Sequence, residues 1–393
     1  MVMLTSTMAR FQVRVLDVGQ AVIHDELSLG MMLEVPAGQN SAELLAALGE
    51  ALDEDLRFTY VSGVDYQQWV AQQGKTRHIV TLLAAGVSAE QLAAVVEIVE
   101  RHGLSIEAIR RLSGRVRINL EDPGDTEDPG RASVELSLRG EPDHPATLKA
   151  ELLEAAGRLT FDFSVQQDTV YRRNRRLVAF DMDSTLIDAE VIDELAGVHG
   201  VGDEVSAITA QTMRGEIDFQ ESFRRRVALL KGLPEAALRS VAERVELTEG
   251  AHRLTAALKH FGYTTAIISG GFRFVGERLL DELGIDLLFA NELEVVDGCV
   301  TGVVRGEVID AEGKAQRLRE ICSAQGIALA QTIAIGDGAN DLPMLNAAGM
   351  GVAFHAKPLV RESASHAISN FGLDSVLYLM GFSDRDIEEI NLR

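Results

Sequence analysis

The segment Leu177-Val178-Ala179-Phe180-Asp181-Met182-Asp183-Ser184-Thr185 constrains this chain more than any other. Its four apolar residues read as a buried strand. The strand delivers two aspartates, one residue apart, into a turn with hydroxyls behind them. Strand residues alternate faces, so Asp181 and Asp183 are expected to start on the same side. Carboxylates this close repel each other unless a cation sits between them. An oxygen-only site suits Mg2+, which takes few protein carboxylates and leaves room for a substrate phosphate. Asp-x-Asp-x-Thr is common in loops, so its weight comes from three further segments.

The first, Ala266-Ile267-Ile268-Ser269-Gly270-Gly271, is an apolar strand ending in a hydroxyl and two glycines, which let backbone N–H groups approach an anion. The second is Lys314, just before a helical stretch. The third runs from Thr332 to Met344, another apolar strand that ends in Asp337 and Asp341 with Asn340 between them. These groups fall at or after the C-terminal ends of separate strands, the edge where open α/β sheets bind ligands. Singly, each has a plainer reading: an aspartate that caps a helix, a Ser-Gly-Gly turn, a solvated surface lysine. Their joint occurrence in this order is what those readings fail to explain.

That joint pattern resembles the four-motif signature of the haloacid dehalogenase-like phosphohydrolases. Its particular forms, Asp-x-Asp-Ser-Thr and Gly-Asp-Gly-Ala-Asn-Asp-x-x-Met, resemble those of phosphoserine phosphatases, over roughly residues 175–390. The resemblance implies Mg-dependent hydrolysis of O-phospho-L-serine to L-serine and phosphate, the last step of serine biosynthesis. It makes Asp181 the nucleophile of an aspartyl-phosphate route and Asp183 the acid and then the base. It implies that Asp181, the backbone carbonyl of Asp183, and Asp337 hold Mg2+, with Asp341 orienting that shell. Ser269, the Gly270 N–H and Lys314 are expected to hold the phosphoryl oxygens, and Asn340 to contact substrate or nucleophile. Glu190 is assigned to the substrate ammonium, and Met213 and Phe219 to the pocket wall.

Between Ser184 and the Ser269 strand lies a long helical stretch, about 190–247, placed to form a cap over the strand ends. A lid of this kind shuts water out during phosphoryl transfer. In the helix expected from about Asp218 to Lys231, Phe219, Phe223, Val227 and Leu230 share one side, and Arg226 falls in the middle of it. Arg224 and Arg225 point elsewhere. An arginine in an apolar stripe needs an anion, because an unpaired buried charge is expensive. Two partners fit: a substrate carboxylate, gripped bidentately, or another cap residue such as Glu190. The pair Glu190 and Arg226 favours an amino-acid head group over another small phosphomonoester. Intact Asp181, Asp183, Lys314 and Asp337 argue against an amino-acid sensor with a vestigial phosphatase half.

The N-terminal part carries none of these pieces. Residues 76–168 read as βαββαβ, a ferredoxin-like order: strands His78–Leu83, Ile106–Leu112, Ala132–Leu138 and Leu159–Val165, and helices Ser88–His102 and Pro145–Ala156. Residues 1–72 read as the last two-thirds of the same order, with strands Phe11–Asp17, Gln20–Ile23 and Leu27–Val35, a helix Ser41–Asp55 and a closing strand Phe58–Ser62. Paired units of this order resemble ACT domains, which sense amino acids and pair edge to edge. The resemblance implies a homodimer and a serine effector, although neither unit has the Gly-x-Asp-x-Pro-Gly effector turn. The first unit lacks an opening strand, and either a late start or completion by a partner subunit would account for that. Glu121–Gly130 reads as a mobile loop and Gln166–Arg176 as the connector to the phosphatase domain, 175–393.

The whole is thus expected to be a doubly wound α/β haloacid dehalogenase-like domain with a helical cap, preceded by two ferredoxin-like, ACT-type α+β units. A net charge of -23 argues against nucleic acid and anionic membranes as partners. It would also repel a phosphorylated substrate at long range, so local positive charge and a metal must do the binding. Cys299 and Cys322 form no disulfide framework or metal spacing, and the N-terminus has no signal layout, which together predict a cytoplasmic protein.

Overall fold

A computed structural model of the chain describes residues 2–51, 56–115, 130–364 and 366–391. It divides into two compact units, Met1–Val70 and Ala71–Arg393.

The first unit contains α1 (Val2–Arg10), β1 (Arg14–Ile23), β2 (Glu26–Glu34) and α2 (Ser41–Ala51), and α3 (Gly63–Gln73) runs on past its end. β1 and β2 pair antiparallel from Arg14 with Glu34 to Ile23 with Glu26. Met8, Leu44 and Leu48 make a small core, with Leu4, Phe11 and Leu33 packed around it. Three expectations change here. The two strands foreseen before Ile23 are one strand with an irregularity between Val15 and Asp17, because pairing with β2 runs unbroken from Asp17 to Ile23 across the expected gap at Val18 and Gly19. Phe58–Ser62 is not a strand: it pairs with no strand among the described residues, and Tyr60 is exposed. Helices α1 and α3 were not foreseen. The helix expected to reach Asp55 is described as far as Ala51.

The second unit opens with the foreseen βαββαβ order: β3 (Arg77–Ala84), α4 (Ala89–Arg101), β4 (Ser105–Arg111), β5 (Ala132–Arg139), α5 (Pro145–Leu159) and β6 (Asp162–Gln167). A capping box starts α4, with Gln91 N–H donating to Ser88 Oγ at 3.1 Å and Ser88 N–H to Gln91 Oε1 at 2.9 Å. The last strand starts later than expected, because α5 runs on to Leu159 and Thr160 turns the chain with φ 54°. The turn-rich stretch 121–130 lies, except for Gly130, outside the described residues.

The rest is β7 (Leu177–Phe180), α6 (Val191–His199), α7 (Gly202–Met213), α8 (Phe219–Leu229), α9 (Glu235–Arg244), α10 (Ala251–His260), β8 (Thr264–Phe272), α11 (Arg273–Leu283), β9 (Leu287–Val296), β10 (Cys299–Arg305), α12 (Ala311–Gln325), β11 (Thr332–Gly336), α13 (Leu342–Ala347), β12 (Met350–Phe354), α14 (Pro358–Ser363), β13 (His366–Ile368), α15 (Val376–Met380) and α16 (Asp384–Asn391). Strands β9, β8, β7, β11, β12 and β13 run parallel in that order, with β10 antiparallel at the edge. From β7 the chain goes to β8 on one side and later to β11 on the other. The crevice above β7 is therefore a topological switch point. Helices α6 to α9 fill the stretch expected to be the cap.

One feature of this unit was not anticipated. β13 pairs antiparallel with β6, His366 opposite Ser164 and Ala367 opposite Phe163, so the α+β sheet and the doubly wound sheet form one sheet of eleven strands. One face of the α+β part packs Val80, Leu82, Leu136 and Leu138 against Val95, Val99, Leu148 and Leu152 of its helices. The other face is polar yet buried, with Thr81, Ser133, Glu135, Ser164 and Gln166. Gln166 Nε2 donates to Leu379 O at 2.6 Å, and Ser164 Oγ meets His366 Nδ1 at 2.8 Å. Burial, with Arg175 and Lys149 nearby, lowers the His366 pKa to about 3 and keeps the ring neutral. The expected polar connector is itself partly buried: Arg172 bonds Glu135 at 2.5 Å and Arg175 reaches Thr332 O at 3.1 Å.

Candidate active site

All four residues of β7 are fully buried. The pairing of β7 with β11 extends one step past the strand, through Asp181 N–H donating to Ile335 O at 2.8 Å. This fixes Asp181 at the strand end. The chain then turns sharply: Leu186 N–H and Ile187 N–H both donate to Met182 O, at 2.9 and 3.1 Å. Ser184 sits in the turn with φ 54°, an unusual conformation for a side-chain-bearing residue. Its hydroxyl donates to Glu190 Oε1 at 2.9 Å, so the loop tethers the acid at the start of the cap.

The turn, rather than strand alternation, sets where Asp183 points, which corrects the expectation of two carboxylates facing one cation together. Carboxylate oxygens of Asp181, Asp337 and Asp341 lie within 4.8 Å of one another. Asp183 instead leans toward the end of β8, where a Cβ on Gly271 would stand 2.6 Å from Asp183 Oδ2. Glycine at 271 is what admits that carboxyl. Burial, then Glu190 and Asp181, push the Asp183 pKa well up, against the pull of Lys314. Its Oδ1 is buried without a hydrogen-bond partner.

Lys314 is not a surface charge. Asp310 caps α12 by accepting from Gly313 N–H at 2.9 Å, and the first turn of that helix carries Lys314 into the site, 1% exposed. Its Nζ lies 2.8 Å from Asp181 Oδ1 and 2.6 Å from Asp341 Oδ1. Burial alone would lower the lysine pKa, but Asp181 and Asp341 more than reverse it. Asp341 also accepts from Gly338 N–H at 2.9 Å, so both of its oxygens are engaged. That suits an orienting role. A Cβ on Gly336 would stand 2.5 Å from the Asp341 carboxyl carbon, so glycine there lets Asp341 tuck under the end of β11.

Burial, then Asp181, Asp341 and Glu190, raise the Asp337 pKa to about 8; burial and Asp181 hold Asp341 at about 6, with Lys314 opposing. One lysine cannot neutralise this cluster. The donors are all oxygen and carry surplus negative charge, and that set fits a hard divalent cation. Ser269 is buried near the end of β8, and its Oγ accepts from Gly271 N–H at 2.8 Å. Asn340 stands half-buried in the loop between Asp337 and Asp341.

In the cap, Asp218 starts α8 by accepting from Glu221 N–H at 2.8 Å. Phe223 and Val227 are buried, Arg224 and Arg225 are exposed, and Arg226 is half-buried, as the helical spacing predicts. The alternative pairing with Glu190 does not form: among the described residues no carboxylate lies within ion-pair distance of Arg226, and its Nε is buried without a partner. Burial lowers the Arg226 pKa, opposed by Asp193, Glu190 and Asp183. Glu190 keeps an exposed flank, yet lost hydration raises its carboxyl pKa, with Asp181 and Asp193 adding to that and Ser184 and Arg226 opposing. The Phe219 ring stands over Gly270, its Cζ 3.3 Å from where a Cβ would be. Beside it, Gln220 Nε2 donates to Asp310 Oδ2 at 2.6 Å, joining the cap to the helix of Lys314. Met213 closes α7.

Sequence reasoning missed Gln220 and Asn291, and did not foresee that Ser184 would tether Glu190 or that Gly271 would make room for Asp183. Asn291 gave no distinct signal, because Glu292 and Glu294 make its strand pattern polar there in any case.

The haloacid dehalogenase-like hydrolase family matches residues 178–346, and the ACT domain family matches residues 2–59. The phosphoserine phosphatase of Streptomyces coelicolor is 40% identical over 386 residues, 98% of this chain and 90% of that one. Among solved structures, a probable phosphoserine phosphatase from Vibrio cholerae, in unliganded form, is 32% identical with a TM-score of 0.61, over 81% of this chain and 90% of that one. A phosphoserine phosphatase captured as an analogue of its phospho-aspartyl intermediate is 42% identical with a TM-score of 0.50, over 52% of this chain and 99% of that one.

Proposed function

The chain belongs to the phosphoserine phosphatase family of the haloacid dehalogenase-like hydrolases, and from that premise we propose that it hydrolyses O-phospho-L-serine to L-serine and phosphate, as the last step of serine biosynthesis. The observation that carries the substrate is Arg226: a guanidinium on the inner side of the cap helix with a buried, unpartnered Nε. A substrate carboxylate supplies the missing acceptor, and Glu190 the counter-charge for the ammonium. Phe219 and Met213 wall the pocket.

The chemistry follows from the strand ends. Asp181 attacks phosphorus while the bond to the serine oxygen breaks, and the Asp183 carboxyl passes its proton to that oxygen. Water then attacks the aspartyl-phosphate, gives a proton to Asp183, and the bond to Asp181 breaks to release phosphate. Lys314, the Ser269 hydroxyl and the Gly270 N–H stabilise charge on the phosphoryl oxygens. Asp181, Asp337 and the backbone carbonyl of Asp183 would hold Mg2+, which when bound neutralises the crowded acids and the phosphoryl charge. Asp341, bonded through both oxygens, orients that shell, and Asn340 contacts substrate or nucleophile.

Phosphate release from phosphoserine with Mg2+, compared with phosphoethanolamine, tests the reading. Equal turnover of phosphoethanolamine, which lacks the carboxylate, would refute the role given to Arg226. Beryllium fluoride should label Asp181; an adduct elsewhere removes it as nucleophile.

The same reading extends to partners. We propose L-serine as an effector of the ACT-type part and a second copy of the chain as its pairing partner. In support, β1 is exposed along nearly its whole length in a sheet that has two strands among the described residues, fewer than such a sheet needs for independent stability. A cytoplasmic setting is supported by two free thiols, Cys299 exposed and Cys322 buried.

A further inference from the structure

Asn291 lies in β9, outside every motif named above, and is 2% exposed. The ladder between β8 and β9 is irregular between Ile268 and Phe272, the stretch that holds Ser269, Gly270 and Gly271. There the Asn291 side chain stands in for the missing backbone partner: Nδ2 donates to Gly270 O at 2.8 Å. Its Oδ1 accepts from Ile309 N–H at 2.9 Å. The amide orientation is forced, because a carbonyl can only accept and a backbone N–H can only donate.

Gly270 O and Gly271 N–H belong to one planar peptide. With the carbonyl held by Asn291, the N–H is aimed at Ser269 Oγ, which accepts it at 2.8 Å. A hydroxyl that already accepts one hydrogen bond from the backbone keeps its proton for another partner. Among the described residues that proton has no acceptor. The other arm of Asn291 holds Ile309, the residue before the Asp310 that caps the Lys314 helix. One buried amide thus fastens both segments that reach for phosphate.

We infer that Asn291 is a positioning residue that sets Ser269 as a hydrogen-bond donor to the phosphoryl group and keeps Lys314 in register with it. The inference rests on the phosphate-holding role proposed for Ser269 and deepens it. Asn291→Asp keeps the acceptor for Ile309 and replaces the donor to Gly270 by a repelling oxygen. In the full-length enzyme it should lower kcat/KM about ten- to hundredfold, less than the loss of a direct transition-state donor.

The deciding measurement is a double-mutant cycle with Ser269→Ala, read by calorimetric binding of inorganic phosphate. Asn291→Asp should weaken phosphate binding about tenfold in the parent and by less than twofold when Ser269 is already alanine. L-serine binding, whether in the cap or at the ACT-type part, uses neither of these segments and should be unchanged. If the two substitutions act independently, or if phosphate and L-serine weaken alike, Asn291 is only a structural residue of β9. Asn291→Ala carries the same predictions without a buried charge if the aspartate variant does not fold. Phosphate binding reports on Ser269 whatever ester is hydrolysed, so a failed substrate assignment leaves this test readable.

Discussion

The two halves of the active site are built on opposite principles. At the strand ends the chain's own groups hold one another: Lys314 bridges Asp181 and Asp341, and Asp341 also takes a backbone N–H. In the cap, among the described residues, Arg226 Nε has no partner, Glu190 is bonded by Ser184, and Phe219 is half-buried. A site held together in this way is preorganised and loses little freedom at the moment of reaction. An unsatisfied guanidinium is a cost that a matching ligand relieves. On the proposed reading, the strand-end half therefore speeds chemistry on any phosphomonoester, and the cap half selects which one enters.

Substitutions can break that division. Asp181→Asn should bring turnover of every phosphomonoester to background while the protein still folds, since removing one of several crowded carboxylates relieves repulsion; steady-state assay and a melting curve check both. Lys314→Met should lower kcat by about 10²–10³, again on both phosphoserine and phosphoethanolamine. A substrate-selective loss there would erase the boundary between the halves. Arg226→Ala should raise KM for phosphoserine about ten- to hundredfold, the worth of one charge-assisted bidentate contact, and barely alter phosphoethanolamine. Equal losses on both esters would make Arg226 a structural residue of the cap. Gln220→Ala removes one hydrogen bond between cap and core that is open to solvent on one side, which keeps its worth to roughly 0.5–1.5 kcal/mol. It should cost only about two- to tenfold in kcat/KM, and an effect as large as that at Lys314 would mean the cap takes part in catalysis itself.

Legibility in the sequence followed range. The acids at Asp181 and Asp337 were visible because an apolar run and the turn after it are neighbours in the chain. Arg226 was visible because helical periodicity acts over a few residues, and α8 reproduces it. The direction of Asp183 was not, since a turn with Ser184 at φ 54° replaced the alternation assumed for it. Nor was the work of Asn291, whose two partners lie 21 and 18 residues away in the chain. In the first unit, Phe58–Ser62 has a strand-like pattern but gained no pairing partner, and β propensity without one decides little.

The shared sheet redraws where this molecule can be cut. Pairing of His366 with Ser164 and of Ala367 with Phe163 places a hydrogen-bonded seam between segments 202 residues apart in the chain. A truncation at residue 170, natural if each α+β unit were a bead on a string, would strip β13 of a neighbour and uncover Leu379 O. The resulting edge would be an open template for aggregation. Residues 71–393 should instead melt in one calorimetric transition, with hydrogen exchange in β6 and β12 equally slow. Any claim that an effector works through the N-terminal part then has to be settled with a chain shortened at residue 70, where a compact unit ends.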